Sequence, residues 1–228
     1  MNNVAAVAAC LVQVGTQGCN YEQQLSAAAD GLNTDNFVRP DSITLILVVS
    51  DEEDCSIGSE EWYQLDELSN AEANLACGRH QDLLKDINDI RETMIASKVA
   101  AGGTGDRVMF AGIIGVPPVA ACQGSGTQIS ECLNVSPGIN GAGTVGDPDE
   151  VQRMVAPDVY QVYYEYACER YEGDEAVTKA YPGARFVKLA QSFGEMGYIY
   201  SICNEDWTPV MTNVANTLLE KASTPLCR

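Results

Sequence analysis

The chain has 228 residues, 46% of them hydrophobic, with 13 Lys and Arg against 32 Asp and Glu and a formal net charge of −19. That length suits one domain of roughly 100 to 200 residues with an appendage, and the apolar share excludes a disordered chain. The charge excludes nucleic acid, whose binding needs clustered Lys and Arg, and disfavours anionic membranes, while divalent metals and other cationic partners remain compatible. No stretch approaches the roughly 18 apolar residues of a membrane span.

In chain order, Tyr21 to Leu32 is Ala-, Gln- and Glu-rich and stops at Gly31-Leu32-Asn33, which predicts a helix. Ile43 to Val49 is apolar throughout rather than alternating, the pattern of a strand buried on both faces. Leu83, Leu84, Ile87, Ile90, Met94, Ile95 and Val99 recur at helical spacing, and Gly102-Gly103 ends that helix. Val108 to Ile114 is a second apolar strand, stopped by Gly115 and Pro117-Pro118. Residues 117–150 form an irregular Gly- and Pro-rich insertion carrying Cys122 and Cys132. Val159 to Tyr171 is expected as a Tyr-rich helix, Tyr198 to Ile202 as a third strand and Asp206 to Ala222 as a closing amphipathic helix. Strands alternating with helices argue an α/β fold, a parallel sheet covered on both faces.

Nine cysteines occur without a C-x-x-C pair, and His80 is the sole histidine, so structural zinc is disfavoured. Scattered cysteines suit disulfides formed in an oxidising compartment. Local loop closure predicts Cys10 with Cys19, Cys55 with Cys77, Cys122 with Cys132 and Cys168 with Cys203, leaving Cys227 unpaired. Met1-Asn2-Asn3 lacks the basic segment of a signal peptide.

The acidic run Ser50-Asp51-Glu52-Glu53-Asp54-Cys55-Ser56 follows the first strand, and ligands of open parallel sheets sit beyond strand carboxyl ends. Asp51 is the candidate ligand there; the bland alternative is a solvated acidic turn. Thr16, in a Gly-Thr loop before the first helix, offers a hydroxyl to a metal or to a helix cap. The EF-hand spacing is absent. Gly141-Ala142-Gly143-Thr144-Val145-Gly146 matches G-x-G-x-x-G but sits in a loop rather than between a strand and a helix. No G-x-S-x-G element occurs.

Gly15 to Gln23, Arg39-Pro40-Asp41, Ser50 to Ser56, Ser201-Ile202-Cys203 and Leu226-Cys227 together resemble the von Willebrand factor A-type domain, in the cysteine-rich version of bacterial cell-envelope lipoproteins. The resemblance implies a Rossmann-like fold with a metal-ion-dependent adhesion site at the strand carboxyl ends. It matches Thr16 and Asp51 to two of the three ligand sources, for Mg²⁺ or Ca²⁺. The third source, Asp-x-Ser-x-Ser, does not occur. The chain therefore reads as one A-type domain over 1–228 lacking its N-terminal strands, truncated to about three: Ile43 to Ser50, Arg107 to Gly115 and Tyr198 to Cys203. The first of these lies at the open side and exposes an edge for self-association. The resemblance further implies that the upstream frame encodes the missing strand and a signal peptide.

The expected function is an extracytoplasmic binding or adhesion module (periplasmic, cell-envelope or secreted) that engages a protein or surface ligand, with an incomplete divalent-metal site and no enzymatic activity. The alternatives are a disulfide-stapled structural envelope protein and, less favoured, a metal-assisted hydrolase using Asp51 and its neighbours.

Overall fold

The computed structural model describes residues 21–34, 37–65, 76–135, 150–156, 159–164 and 166–223, with the backbone alone for 150–164. The elements are α1 (Gln24–Leu32), β1 (Thr44–Val49), α2 (Ala76–Arg79), α3 (Ile87–Ala100), β2 (Val108–Ile114), β3 (Gly124–Ser125), α4 (Cys132–Val135), β4 (Glu150–Ala156), β5 (Val159–Tyr164), β6 (Cys168–Glu172), β7 (Glu175–Ala180), α5 (Ala184–Phe193), β8 (Gly197–Ser201) and α6 (Thr208–Ser223).

The main sheet runs β1-β2-β8-β3, with β1, β2 and β8 parallel and the two-residue β3 antiparallel to β8. This is the α/β architecture expected, with β1 outermost among the described strands. All seven residues of β2 are buried, as a strand covered on both faces requires. One face, carrying Ile46, Val48, Val108, Phe110, Ile114 and Ile199, packs on α1, α3 and α5. Met109, Ala111, Ile113 and Tyr200 on the other face pack on Val210 and Val214 of α6. Leu47 and Val49 on that second face stay 41% and 49% exposed.

Helix α3 opens at Asp86, whose side chain accepts the Asn88 N–H at 2.7 Å, and closes at Gly102, φ +85°, a conformation favouring glycine. Near that end Lys98, 1% exposed, donates to the carbonyls of Arg39 and Ser42 and pins the segment entering β1. Its burial lowers the lysine pKa.

One expectation fails between β2 and β8. The stretch Val159 to Tyr171 is not a helix: it supplies β5, which pairs antiparallel with β4, and part of β6, which pairs antiparallel with β7. β-branched and aromatic residues fit a pleated surface better than a helix, and Val159-Tyr160-Gln161-Val162-Tyr163-Tyr164 is made of little else. The helix that makes the crossover to β8 is instead α5, for which the sequence carries no strong start signal. Within residues 117–150, β3 joins the main sheet beside β8 and Cys122, Ile129, Cys132 and Leu133 pack into the main core, while residues 136–149 lie outside the described part.

Three disulfides match the expected local pairs: Cys55–Cys77, Cys122–Cys132 and Cys168–Cys203. They are compatible with an oxidising environment. The third joins the β6 hairpin, not a helix, to the segment after β8. Cys10, Cys19 and Cys227 lie outside the described residues. Among the described residues no helix is long and apolar enough to cross a membrane.

Candidate functional site

The acidic run leaves β1 at Ser50 and divides. The Ser50 hydroxyl accepts from Glu52 N–H at 3.2 Å and from Gln24 Nε2 at 3.1 Å, and donates to the Glu52 carbonyl at 3.1 Å. This closed turn leaves Asp51 and Glu52 exposed. The pKa of Glu52 is raised by partial burial and then by the charges of Glu22 and Asp51, so three carboxylates share this rim.

The next two carboxylates turn inward. Asp54 is fully buried, and its Oδ1 accepts Leu25 N–H at 3.0 Å and the Ser56 hydroxyl at 2.7 Å. Its Oδ2 accepts Ser56 N–H at 3.2 Å and Arg185 Nε at 2.9 Å. Ser56 Oγ in turn accepts Ser26 N–H at 2.8 Å. Helix α1 has no cap from its own N-cap residue Gln23, so Asp54 and Ser56 satisfy its first free N–H groups from 29 and 30 residues away in sequence. Glu53 does the same for α5, accepting Arg185 N–H at 3.2 Å on each carboxyl oxygen as well as Asp54 N–H at 3.0 Å. Burial nonetheless dominates and lifts the Glu53 pKa to about 7, with the Arg185 charge opposing.

Arg185, 3% exposed and at the second residue of α5, is the centre of this arrangement. Its Nη2 donates to the Lys85 carbonyl at 2.7 Å, so one guanidinium ties the acidic loop to the entry of α3.

The crevice beyond the strands is not open over β1 and β2. Tyr181 N–H donates to the Asp51 carbonyl at 2.8 Å and Gly183 N–H to the Gly115 carbonyl at 2.9 Å, laying the segment before α5 across both strand ends. Gly115 permits this close approach, since a Cβ there would collide with the Tyr181 carbonyl oxygen. Among the described residues, two regions beside the acidic run stay accessible. One is the rim of Glu22, Asp51 and Glu52. The other is a cleft of about 450 Å³ lined by Gln81, Asp82, Lys85, Asp86, Arg185 and Lys188 among others. Lys188 donates to Gln81 Oε1 at 3.1 Å, and burial lowers its pKa against the opposing charge of Glu53.

Asp51 therefore stands at the strand end where the sequence placed it, side chain outward; Thr16 lies outside the described residues. Asp54 adds no ligand to Asp51, because its oxygens are engaged with Arg185, Leu25 and Ser56. Mg²⁺ takes near-octahedral oxygen ligation, and among the described residues no three His, Cys, Asp or Glu converge to hold a metal. The described residues thus do not by themselves fit a metal cage. The roles of Glu53, Asp54 and Arg185 were missed from sequence; the available signal was Arg185 itself, a lone charge flanked by Ala184, Phe186 and Val187.

Comparison with protein-family models, with curated proteins and with solved structures finds no match to this chain.

Proposed function

We propose that the protein is an extracytoplasmic binding module of von Willebrand A type, which engages a protein or surface ligand through the rim at the carboxyl end of β1 and performs no catalysis. The observation that carries this reading is the division of the acidic run. Glu53 and Asp54 are consumed in holding α1 and α5, whereas Asp51 and Glu52 are left facing solvent beside Glu22. An exposed acidic rim on a rigid, disulfide-braced scaffold suits a cationic contact, either a basic patch on a partner or a divalent ion shared with it. The resemblance at Gly15 to Gln23 and Ser50 to Ser56 supports the same place and adds Thr16 as the second oxygen donor for Mg²⁺ or Ca²⁺. The three disulfides support the periplasm, cell envelope or exterior as its location.

Calorimetric titration of the full chain with Ca²⁺ and with Mg²⁺, on wild type and Asp51→Ala, tests the ion-assisted form of this proposal. A heat that Asp51→Ala abolishes supports it. Absence of any heat with either ion removes the metal from the proposal and favours the purely structural reading. Turnover in a hydrolase screen that Asp51→Ala abolishes would replace the binding module with an enzyme.

A further inference from the structure

The groove between α1 and α3 carries an inference separate from the rim. Ser26, Ala29 and Asp30 form its α1 wall, at the spacing that puts side chains on a single helix face. Asp86, Asp89 and Ile90 form the facing wall at the entry of α3. The floor is fixed by backbone bonds: Gly58 N–H donates to the Leu83 carbonyl at 2.9 Å and Lys85 N–H to the Ser56 carbonyl at 2.8 Å. Gly58 permits this closeness, since a Cβ there would collide with the Lys85 backbone nitrogen. The space between the walls is about 440 Å³, the size of a small-molecule site.

Asp30, Asp82, Asp86 and Asp89 border this space and are exposed, and Lys85 is the one cation among its lining residues. Among the described residues no salt bridge reaches Asp30, Asp82 or Asp89. Carboxylates alone make a wet face; a hydroxyl distinguishes this one. Ser26 is only 6% exposed, and its Oγ has no hydrogen-bond partner. A helical serine commonly bonds the carbonyl four residues back, but that carbonyl, of Glu22, accepts Cys55 N–H at 2.7 Å instead. The Ser26 side chain lies on the helix face of Ala29 and Asp30, toward the groove, and an unpartnered buried hydroxyl there costs free energy that a ligand donor would recover. The carboxylates are spread around the groove: among the described residues no three converge to hold a metal ion. That spacing suits a compact cation at the end of a chain, whose rotatable donors reach acceptors on separate elements. Buried Ala29, Leu84 and Ile90 offer its stem apolar contact.

We propose that this groove binds a primary alkylammonium group, with its stem on Ala29, Leu84 and Ile90 and its charge held by Ser26 Oγ and Asp30 from α1 and by Asp89 from α3. A free alkylamine and a lysine side chain of a partner protein share this chemistry. The site is independent of the rim at Asp51. Lys85, exposed at its border, opposes a second cation there by charge.

Nuclear magnetic resonance titration of the full chain tests this with n-pentylamine, with n-pentanol as the uncharged control, and with acetyl-Gly-Lys-Gly-amide as a peptide-borne ammonium. The expected result is saturable movement of the Ser26, Asp30 and Asp89 amides by the amine, none by the alcohol at equal concentration, and weakening by salt. Ser26→Ala removes a hydroxyl that bonds nothing in the protein and places a good helix former in α1, so folding stability should hold. Amine affinity should nonetheless fall about tenfold in that variant. Asp30→Asn combined with Asp89→Asn should weaken binding further, and Lys85→Gln should tighten it about twofold or more. Peptide binding at least as tight as that of the amine assigns the groove to a partner's lysine; weaker or absent peptide binding assigns it to a free amine. No saturable movement with either ammonium probe overturns the proposal. So does equal movement by n-pentanol, or an affinity that Ser26→Ala and the paired Asp→Asn changes leave where it was.

Discussion

Asp51-Glu52 and Glu53-Asp54 are four consecutive carboxylates with two different fates. The first pair stays in water and is held only through backbone and a serine hydroxyl; the second is enclosed, each member accepting N–H groups at the start of a helix. What separates them is the guanidinium of Arg185, which compensates Asp54 at 2.9 Å and leaves Glu53 with backbone N–H donors only. Charge runs are usually solvated faces. Here composition alone describes half of the run, and a cation 131 residues away in sequence decides the other half.

The most damaging way to break the contrast is Arg185→Ala. It strands a fully buried Asp54 without its ion-pair partner, and the expected loss is about 3–5 kcal/mol of unfolding free energy. Urea denaturation measures it. Arg185→Ala combined with Asp54→Ala should lose less than the sum of the single changes, because the stranded charge is then gone. A loss under about 1 kcal/mol for Arg185→Ala, the range of an exposed pair, would mean that the inner half is solvated after all.

The Cys55–Cys77 bridge begins one residue beyond Asp54 and closes a loop of sequence separation 22. Chain-entropy reasoning assigns such a bridge about 3 kcal/mol. Replacing both cysteines by serine is expected to cost that much in global stability. If the helix caps hold the inner carboxylates, the Leu25 and Ser26 amides should keep slow hydrogen exchange in the variant. Fast exchange at those amides would show that the bridge, not the hydrogen bonds, maintains the inner half.

Much of this architecture was legible from sequence and part was not, for identifiable reasons. The apolar run of β2 signalled burial on two faces because no partner in the chain was needed to interpret it; the like run of β1 signalled a strand, but among the described residues only its Ile46 and Val48 face is buried, while Leu47 and Val49 stay exposed. The local disulfides were likewise set by short loops. The region between β2 and β8 was misread because its Tyr and Val residues satisfy a helical spacing and a pleated one at once, and pairing between strands decides such cases. Helix α5 escaped notice because its caps lie elsewhere: Gly183 gives it no side-chain cap, and Glu53 supplies the acceptor from 132 residues earlier. The placement of Asp51 at the strand end could be read, since it depends only on where β1 stops. The inward turn of Asp54 could not, since it depends on Arg185.

Glu53 sharpens the comparison through pH. Its folded pKa of about 7 stands above the 4.5 of the free side chain, so the folded protein holds this proton more tightly than the unfolded chain. The associated stability is fully present below pH 4.5 and is lost as pH rises through about 7. A tenfold difference in proton affinity is worth about 1.4 kcal/mol; allowing for the part of the residue that still meets solvent, a decline of about 2 kcal/mol is expected. Denaturation midpoints of wild type and Glu53→Gln between about pH 4 and pH 8 measure it, with the variant expected to lack this component of the slope. Parallel profiles would place the Glu53 carboxyl in water with its outer neighbours.

Asp51→Ala should have the smallest effect on folding. The one bond that Asp51 makes to the crossover segment runs from Tyr181 N–H to its backbone carbonyl, which alanine keeps. The carboxylate itself is exposed, and removing it also relieves one of the charges that raise the pKa of Glu52. Surface changes of this kind stay within about 0.5 kcal/mol, and the expected sign is neutral to slightly stabilising. The pKa of Glu52, followed by nuclear magnetic resonance titration, should fall in the variant, since a repulsive neighbour has gone. A stability loss of about 2 kcal/mol or more would contradict the division of the run, because it would give Asp51 the same structural duty as Asp54. Near-neutral folding energetics instead leave the outer carboxylate free to be judged by binding alone, which is what a recognition surface on a rigid scaffold requires.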